Sequence, residues 1–494
     1  MESQDIKPLD PKDEQLIENK NLSLIEALIP IIILVALLAF NVRYAFGDDA
    51  LSGSNQFLLL IGAAIAAIIG FRNKVSYQAM MEDVSKNVKS TSSAIIILLL
   101  VGALSGTWLL SGIIPTMVYY GLQILHPTIF LPACVVICSV ISIATGSSWT
   151  TSATVGIALI GIGSTLGMPI GMVAGAVISG AYFGDKLSPL SDTTNLAPAM
   201  AGTDLFTHIR YMMLTTVPTL ALSLIIFVIL GLTQTTSGVN NNEATLLAIK
   251  ETFTISPWLF LVPVVVILLI IKKTEPLIAL LIGTLLGGIF ALVFQPDLVA
   301  KIGGSTSLDF MSGYKGVMNA ITVQTNFESS NEMLQELFSA KGMQGMLGTI
   351  WLILCAMVFG GVMEAIGALT KITEALLKLF HTVFGLFAST VASCLALNLT
   401  ASDQYLAIVV PGKMFAKAYE DKGLAPENLS RTLEDSGTVT SVLVPWNTCG
   451  AYHSGVLGVS TLSYAPYAFF NIISPFMTLL FAAFNIKIKQ LTSK

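Results

Sequence analysis

Charge is what this sequence has least of. Asp, Glu, Lys and Arg make up 11% of its 494 residues and hydrophobic types 54%, whereas soluble domains carry about 25% charge. That excludes a water-soluble fold, and the sparse Lys and Arg give no reason to expect a nucleic-acid partner. Histidine is scarce too: His126, His208, His381 and His453 are scattered along the chain, and no transition-metal site is expected of them. The five cysteines, Cys134, Cys138, Cys355, Cys394 and Cys449, fall in or beside apolar stretches without neighbouring zinc ligands, and read as packing thiols. No short apolar core with a small-residue cleavage site opens the chain, so no cleavable signal peptide is expected. Residues 1–23, "MESQDIKPLDPKDEQLIENKNLS", read instead as a disordered, solvated tail.

What the chain does have is long apolar runs. Crossing a bilayer as helix takes about 20 such residues. Candidate spans are 24–44, 56–71, 94–124 (long, so either tilted or broken near Gly102–Gly106), 128–145, 152–165, 168–184, 212–232, 257–272, 276–295, 346–368, 382–399, 403–416, 436–460 in pieces, and 465–486. Lys and Arg favour the cytoplasmic side of short loops. Arg72, Lys74, Lys86 and Lys89 mark 72–89 as cytoplasmic, and Lys272, Lys273, Lys487, Lys489 and Lys494 do the same further on. The turn holding Asp204, His208 and Arg210 reads as cytoplasmic, while 45–55, 233–256 and 296–345 read as external. Both termini are then cytoplasmic, and the chain is an all-α, multi-pass protein of the cell inner (cytoplasmic) membrane.

Two stretches repeat in kind. "IATGSSWTTSATVG" (143–156) and "NLTASDQYLAIVVPG" (398–412) each interrupt an apolar run with small polar residues. Some thirty residues later come "GDKLSPLSDTTNLAP" (184–198) and "LEDSGTVTSVLVPWNTCG" (433–450), in which Asp185 stands to Asn195 roughly as Asp435 stands to Asn447. The offset between halves is near 250 residues, and the halves enter the membrane from opposite faces. Interrupted segments at matching positions of inverted repeats are the sequence pointer to a transporter's midplane site. The expected organisation is a tail (1–23), N-terminal helices (24–89), a first transport repeat (90–232), connecting helices with an external segment (233–345), a second transport repeat (346–486) and a short cytoplasmic tail (487–494).

Unpaired backbone and acids at membrane depth must face protein or a wet cavity, because lipid cannot satisfy them. The breaks offer hard oxygens: Ser147, Ser148, Thr151, Asp185, Ser188, Ser191, Asp192, Thr193, Asn195, Asp403, Asp435, Asn447 and Thr448 are the candidate ion ligands. Hydroxyl, amide and carboxylate oxygens suit a hard cation such as Na⁺ rather than a soft metal. A carboxylate can hold a proton or a cation but not both, which is sufficient chemistry for exchange. Glu364, the one acid inside a well-formed span, and Glu434 are candidate proton relays. Lys186 is the candidate charge partner, Trp149 and Trp446 are gates or packing, and no cofactor is called for.

At these motifs the chain resembles the NhaC family of bacterial Na⁺/H⁺ antiporters: "GDKLSPLSDTTNLAP", "ATGSSWTTSATVG", "ASDQYL" and "VPWNTCGAY" carry the likeness, across most of 90–480. The resemblance implies a secondary transporter, not an enzyme, with two inverted-topology repeats, re-entrant hairpins and broken transmembrane helices. It also implies a homodimer as a partner state and Na⁺ and H⁺ as cargo. The family includes malate/lactate exchangers, so a Na⁺/H⁺-coupled organic-anion exchanger is the alternative; an anion would look to Lys186, Arg431 or Lys413. The insert 300–345 departs from the family pattern. An intramembrane protease is disfavoured because Tyr182 replaces the first glycine of a Gly-x-Gly-Asp motif, and a passive channel because it needs no alternating access.

Overall fold

The computed structural model describes residues 16–46, 53–124, 126–233, 242–272, 274–327, 338–378 and 382–491. Expectations placed on 1–15, on His381 and on Lys273 and Lys494 lie outside that set. Among the described residues the chain is helical except for one two-stranded antiparallel pair, Thr325–Asn326 with Ser339–Ala340. Eight helices among the described residues are long and apolar enough to cross a bilayer, and two further helix pairs, bent by 83° and 52°, pass the same test together. The protein is multi-pass.

The spans start and stop for local reasons. Ser23 and Glu26 close a capping box on Leu24–Phe40, satisfying two of the amide donors that a helix start leaves free. Residues 16–22 are not a loose tail: Leu22 is buried and Asn19 Nδ2 donates to the Asn73 and Ile366 carbonyls. The run 94–124 does break, but at Ser111–Gly112, between Ser92–Leu110 and Ile113–Ile124. Gly112 takes φ +80° there, a conformation that glycine adopts at little cost. Gly102 and Gly106 do something else. A Cβ at Gly106 would stand 1.8 Å from the Ala320 carbonyl oxygen, and one at Gly102 2.4 Å from that of Gly342. They let the 300–345 insert, built on helix Phe310–Thr322, press against the span.

Two runs of helices share one spacing. Pro127–Thr145, Ile170–Leu187 and Asp192–Ala201 begin 256 residues before Val383–Thr400, Pro426–Leu433 and Thr448–Leu457 (383 less 127, 426 less 170, 448 less 192). In each run a helix ends in a left-handed residue, Gly146 (φ +71°) or Ser402 (φ +59°), and the chain re-enters helix at Ser148 or Leu406. A short helix, Ile113–Ile124 or Ala368–Lys378, packs on the re-entering arm in each. The expected short span 403–416 is therefore the arm Leu406–Asp421, and 436–460 is the end of a rod, interrupted by a π turn at Glu434–Thr438, followed by Thr448–Leu457.

Close approach makes a stability prediction. Gly106→Ala forces a backbone carbonyl to move and should destabilise by about 1–3 kcal/mol, the range for overpacking. Gly348→Ala, with nothing within 4 Å of its added Cβ, should be nearly silent. Melting curves of the two variants in the same detergent decide it; equal shifts would mean that Gly106 carries no packing constraint.

Candidate functional site

All four breaks come together at one place. A cavity of about 460 Å³ is lined by Ser147, Ser148 and Thr150 from the first break, Asp185, Ser191, Asp192 and Thr193 from the second, Asp403, Gln404 and Tyr405 from the third, and Thr448 and Cys449 from the fourth. Ser90, Thr91, Ser93, Ala94 and Ile97, with Thr274, Glu275, Pro276 and Leu277, line it as well. Four helix starts converge here: Ser148–Thr151, Asp192–Ala201, Leu406–Asp421 and Thr448–Leu457. Ser147, Ser191 and Asn447 cap three of them, accepting from the amides of Thr150, Thr194 and Cys449. Asp403 Oδ1 caps the fourth, accepting from Tyr405 N at 2.8 Å and Leu406 N at 3.0 Å.

Asp185 sits at the end of Ile170–Leu187, buried, with Oδ2 accepting from Ser148 N at 3.0 Å and Ser148 Oγ at 2.6 Å. Helix N-termini favour negative groups, and here the carboxylates of Asp185 and Asp403 already occupy two of them. Asp192 is exposed to the cavity, and its Oδ2 accepts from Tyr405 Oη at 3.4 Å, which joins the two runs. Trp149 stacks on Tyr452 at 3.9 Å between centroids and joins them again. Trp446 instead donates its indole N–H to the Leu399 carbonyl at 2.9 Å.

Not every expected ligand faces this cavity. Thr151 donates back to the Ser147 carbonyl at 2.9 Å, and Ser188 Oγ accepts from Leu190 N. Asn195 Nδ2 braces the break by donating to the Pro189 and Ser191 carbonyls. Asn447 Nδ2 donates to Asn398 O and Oδ1, both at 3.1 Å. Glu364 lies in the last turn of Leu347–Ala365, 3.8 Å from Lys86 Nζ, away from the breaks. His208 is not in an open turn: it is buried on Leu205–Thr233, its Nδ1 2.8 Å from Ser430 Oγ.

Asp435 stands elsewhere. Its Oδ1 lies 2.5 Å from Lys186 Nζ, and Ser474 Oγ and Thr215 Oγ1 donate to its two oxygens at 3.2 and 2.8 Å. Both charged side chains are fully buried. By the 256-residue spacing the counterpart of Asp185 is Ser441, whose hydroxyl donates to Gln404 Oε1 at 3.3 Å, and Gln404 is the counterpart of Ser148. The same contact thus occurs twice, charged in one run and neutral in the other. Gln404, Tyr405 and Glu275 line the cavity without having been singled out from sequence. Position directly after a helix-capping Asp was the available signal for the first two; Glu275 sits in a loop read as plain cytoplasmic.

The model for the Na⁺/H⁺ antiporter family matches residues 180–486. The Na(+)/H(+) antiporter NhaC of Alkalihalophilus pseudofirmus is 37% identical over 428 residues, covering 87% of this chain and 90% of that one. The chain belongs to the Na⁺/H⁺ antiporter family. The NhaC likeness of its break motifs is therefore borne out. Members of similar identity name different cargo. The malate-2H(+)/Na(+)-lactate antiporter of Bacillus subtilis is 35% identical over 421 residues (85% of this chain, 87% of that one). The arginine/ornithine antiporter ArcD of Halobacterium salinarum is 33% identical over 460 residues (92% and 90%). Family membership thus fixes a transporter class, and the cavity lining has to speak for the cargo.

Breaking a buried ion pair by removing one partner costs about 3–5 kcal/mol, because it strands a charge. Lys186→Met and Asp435→Leu should each lower thermal stability on that scale, and the double variant should lose less than the sum. A double-mutant cycle of melting temperatures checks this; strictly additive losses would mean the two groups do not stabilise one another.

Proposed function

We propose that this protein exchanges Na⁺ for H⁺ across the cytoplasmic membrane, with Asp185, Asp192 and Asp403 as the groups that hold either cation in turn. The observation that carries this is the cavity itself: three carboxylates and several hydroxyls from all four breaks line it, with no Lys, Arg or His among the described lining residues. Hard oxygens suit Na⁺, and the described lining residues offer an organic anion no cationic side chain. Two of the four helix N-termini that could otherwise attract an anion are matched by the carboxylates of Asp185 and Asp403. The relatives that name Na⁺/H⁺ exchange support the same reading.

The equal spacing of the two helix runs supports their being repeats, and a midplane position for the breaks follows if they enter from opposite faces. Both termini are then cytoplasmic. The lining residues Ser90, Thr91, Thr274 and Glu275 lie next in sequence to the Lys- and Arg-bearing stretch 72–89 and to Lys272, which supports an opening of the cavity toward the cytoplasm.

A second reading is favoured by one observation: about 460 Å³ is room for roughly fifteen waters at ~30 Å³ each, far more than a bare Na⁺ fills. A carboxylate solute carried with bound Na⁺ would supply its own counter-ion.

Everted vesicles from cells lacking their own antiporters separate the readings. NaCl alone should collapse a respiration-driven proton gradient for the wild type. Asp185→Asn and Asp192→Asn should each reduce that response at least tenfold at equal expression. A response that appears only when malate, lactate or an amino acid is added would replace Na⁺/H⁺ exchange by the second reading.

A further inference from the structure

Behind the cavity lies a second polar region. Asp185 and Lys186 are neighbours in sequence, about 100° apart around a helix, and they face different places: Asp185 lines the cavity, and Lys186 is buried with Asp435 and lies 5.5 Å from the Phe470 ring centre. On the Lys186 side, three helical elements meet: Leu205–Thr233, the rod 426–443 and Phe469–Ala483.

That seam holds charge without partners. Arg431 is fully buried, and none of its three guanidinium nitrogens has a hydrogen-bond partner. Its cation rests on the faces of Tyr211, at 4.5 Å, and Phe481, at 5.6 Å. One turn on, Glu434 is fully buried with both carboxyl oxygens unpartnered, at the start of the π turn Glu434–Thr438. His208 Nε2 and Thr438 Oγ1 are buried and unpartnered as well. Buried polar groups are paired in the great majority of cases, because leaving one unmet costs about 1–3 kcal/mol and more for a charge. Four such residues on one seam supply the polar groups that a file of water would hydrogen-bond. Lone π turns, too, recur at functional sites.

The seam also has a closure at its far end. Tyr211, whose ring lies against Arg431, has its hydroxyl 2.6 Å from the Lys487 carbonyl and 2.5 Å from Asn428 Oδ1. Lys489 Nζ lies 2.5 Å from Glu427 Oε1, and Leu491 N donates to the Gly423 carbonyl at 2.8 Å. Residues 487–491 thus lie as a strap across the end of the seam, and the Lys186–Asp435 pair closes the other end.

We infer that this seam is a proton route separate from the cation cavity, running from the strap past Arg431 and Glu434 to the Lys186–Asp435 pair. The inference rests on the exchange reading and revises it in one respect: Na⁺ is held at Asp185, Asp192 and Asp403, and the proton that displaces it is held at Asp435. Glu434 takes a proton at its carboxylate and gives it up to the Asp435 carboxylate. Asp435 is neutralised, and the Lys186 ammonium is left without its counter-charge next to Asp185, where it disfavours a bound Na⁺. No bond other than the O–H is made or broken. The charged and titratable groups around Glu434 are Arg431 and Asp435 on its own rod, Lys186 and Asp185 on Ile170–Leu187, His208 and Tyr211 on Leu205–Thr233, Cys394 on Val383–Thr400 and Tyr419 on Leu406–Asp421. Phe469–Ala483 contributes no charge to the seam.

The test uses the full chain reconstituted in liposomes, read two ways: proton movement driven by a Na⁺ gradient, and exchange of ²²Na⁺ for Na⁺. Glu434→Gln should reduce the proton movement at least tenfold while Na⁺/Na⁺ exchange stays within twofold of wild type, and Glu434→Asp should restore a measurable part of the proton movement. Thr438→Val, which keeps the volume and removes a hydroxyl from the route, should slow proton movement alone and serves if Glu434→Gln fails to fold. Loss of both activities in step, in variants that run as intact protein on size exclusion, would overturn the separate route; so would undiminished proton movement in Glu434→Gln. A wild type that moves no protons with Na⁺ would instead overturn the exchange reading.

Discussion

A backbone that leaves helix at membrane depth must find its hydrogen bonds inside the protein, and that constraint organises the rest of this structure. Each unmet peptide group in hydrocarbon would cost several kcal/mol. Four breaks therefore cannot be scattered; they are gathered where each can serve another. Thr448 N donates to the Ser402 carbonyl, Thr194 Oγ1 to the carbonyls of Asp185 and Lys186, and Asn398 Nδ2 to the Gly437 carbonyl. The cavity is what remains between four helix starts so assembled. Its polarity comes from the capping residues, since a residue able to cap a helix is a Ser, Thr, Asp or Asn and so also an oxygen ligand.

This explains which parts of the site were legible in the sequence. Apolar runs with small polar interruptions gave the helices and all four breaks, because hydrophobic length and capping chemistry are local signals. Register was harder. Matching Asp185 with Asp435 took Asn195 and Asn447 as equivalent, but Asn195 braces a loop while Asn447 caps a helix. The equivalent cap is Ser191, a different residue type in the same place, and from it Asp185 maps onto Ser441. Side-chain identity misled where backbone role would have served. Likewise Gly102 and Gly106 look like breaks on composition alone, and only the opposing Gly342 and Ala320 carbonyls reveal them as contact points. The pairing of Lys186 with Asp435, 249 residues apart, left no local signal at all.

The two helix runs are alike in backbone and unlike in charge. The first contributes Asp185 and Asp192 where the second has Ser441 and Thr448; the second contributes Asp403 where the first has Ser147. A cavity with carboxylates at every equivalent position would gather more negative charge than one or two cations could balance away from bulk water, where an unpaired charge is costly. Replacing some by hydroxyls keeps the oxygen ligands and sheds the charge. Asp435, a buried acid of the second run, is matched by Lys186.

Placing Asp185 and Lys186 side by side then has a consequence for coupling. A single helix end carries the cavity's buried carboxylate on one face and, on the next, the cation that neutralises the opposing run. Neither can shift without the other, because the backbone between them is one peptide unit held by Thr194 through both carbonyls. A change of charge on the Asp435 side therefore reaches Asp185 by two means, through the field of the ammonium and through the position of the helix end. The first acts without movement and is strongest in a dry interior. The second needs the rod 426–443 to part from Ile170–Leu187, which the pair resists for as long as both of its members are charged.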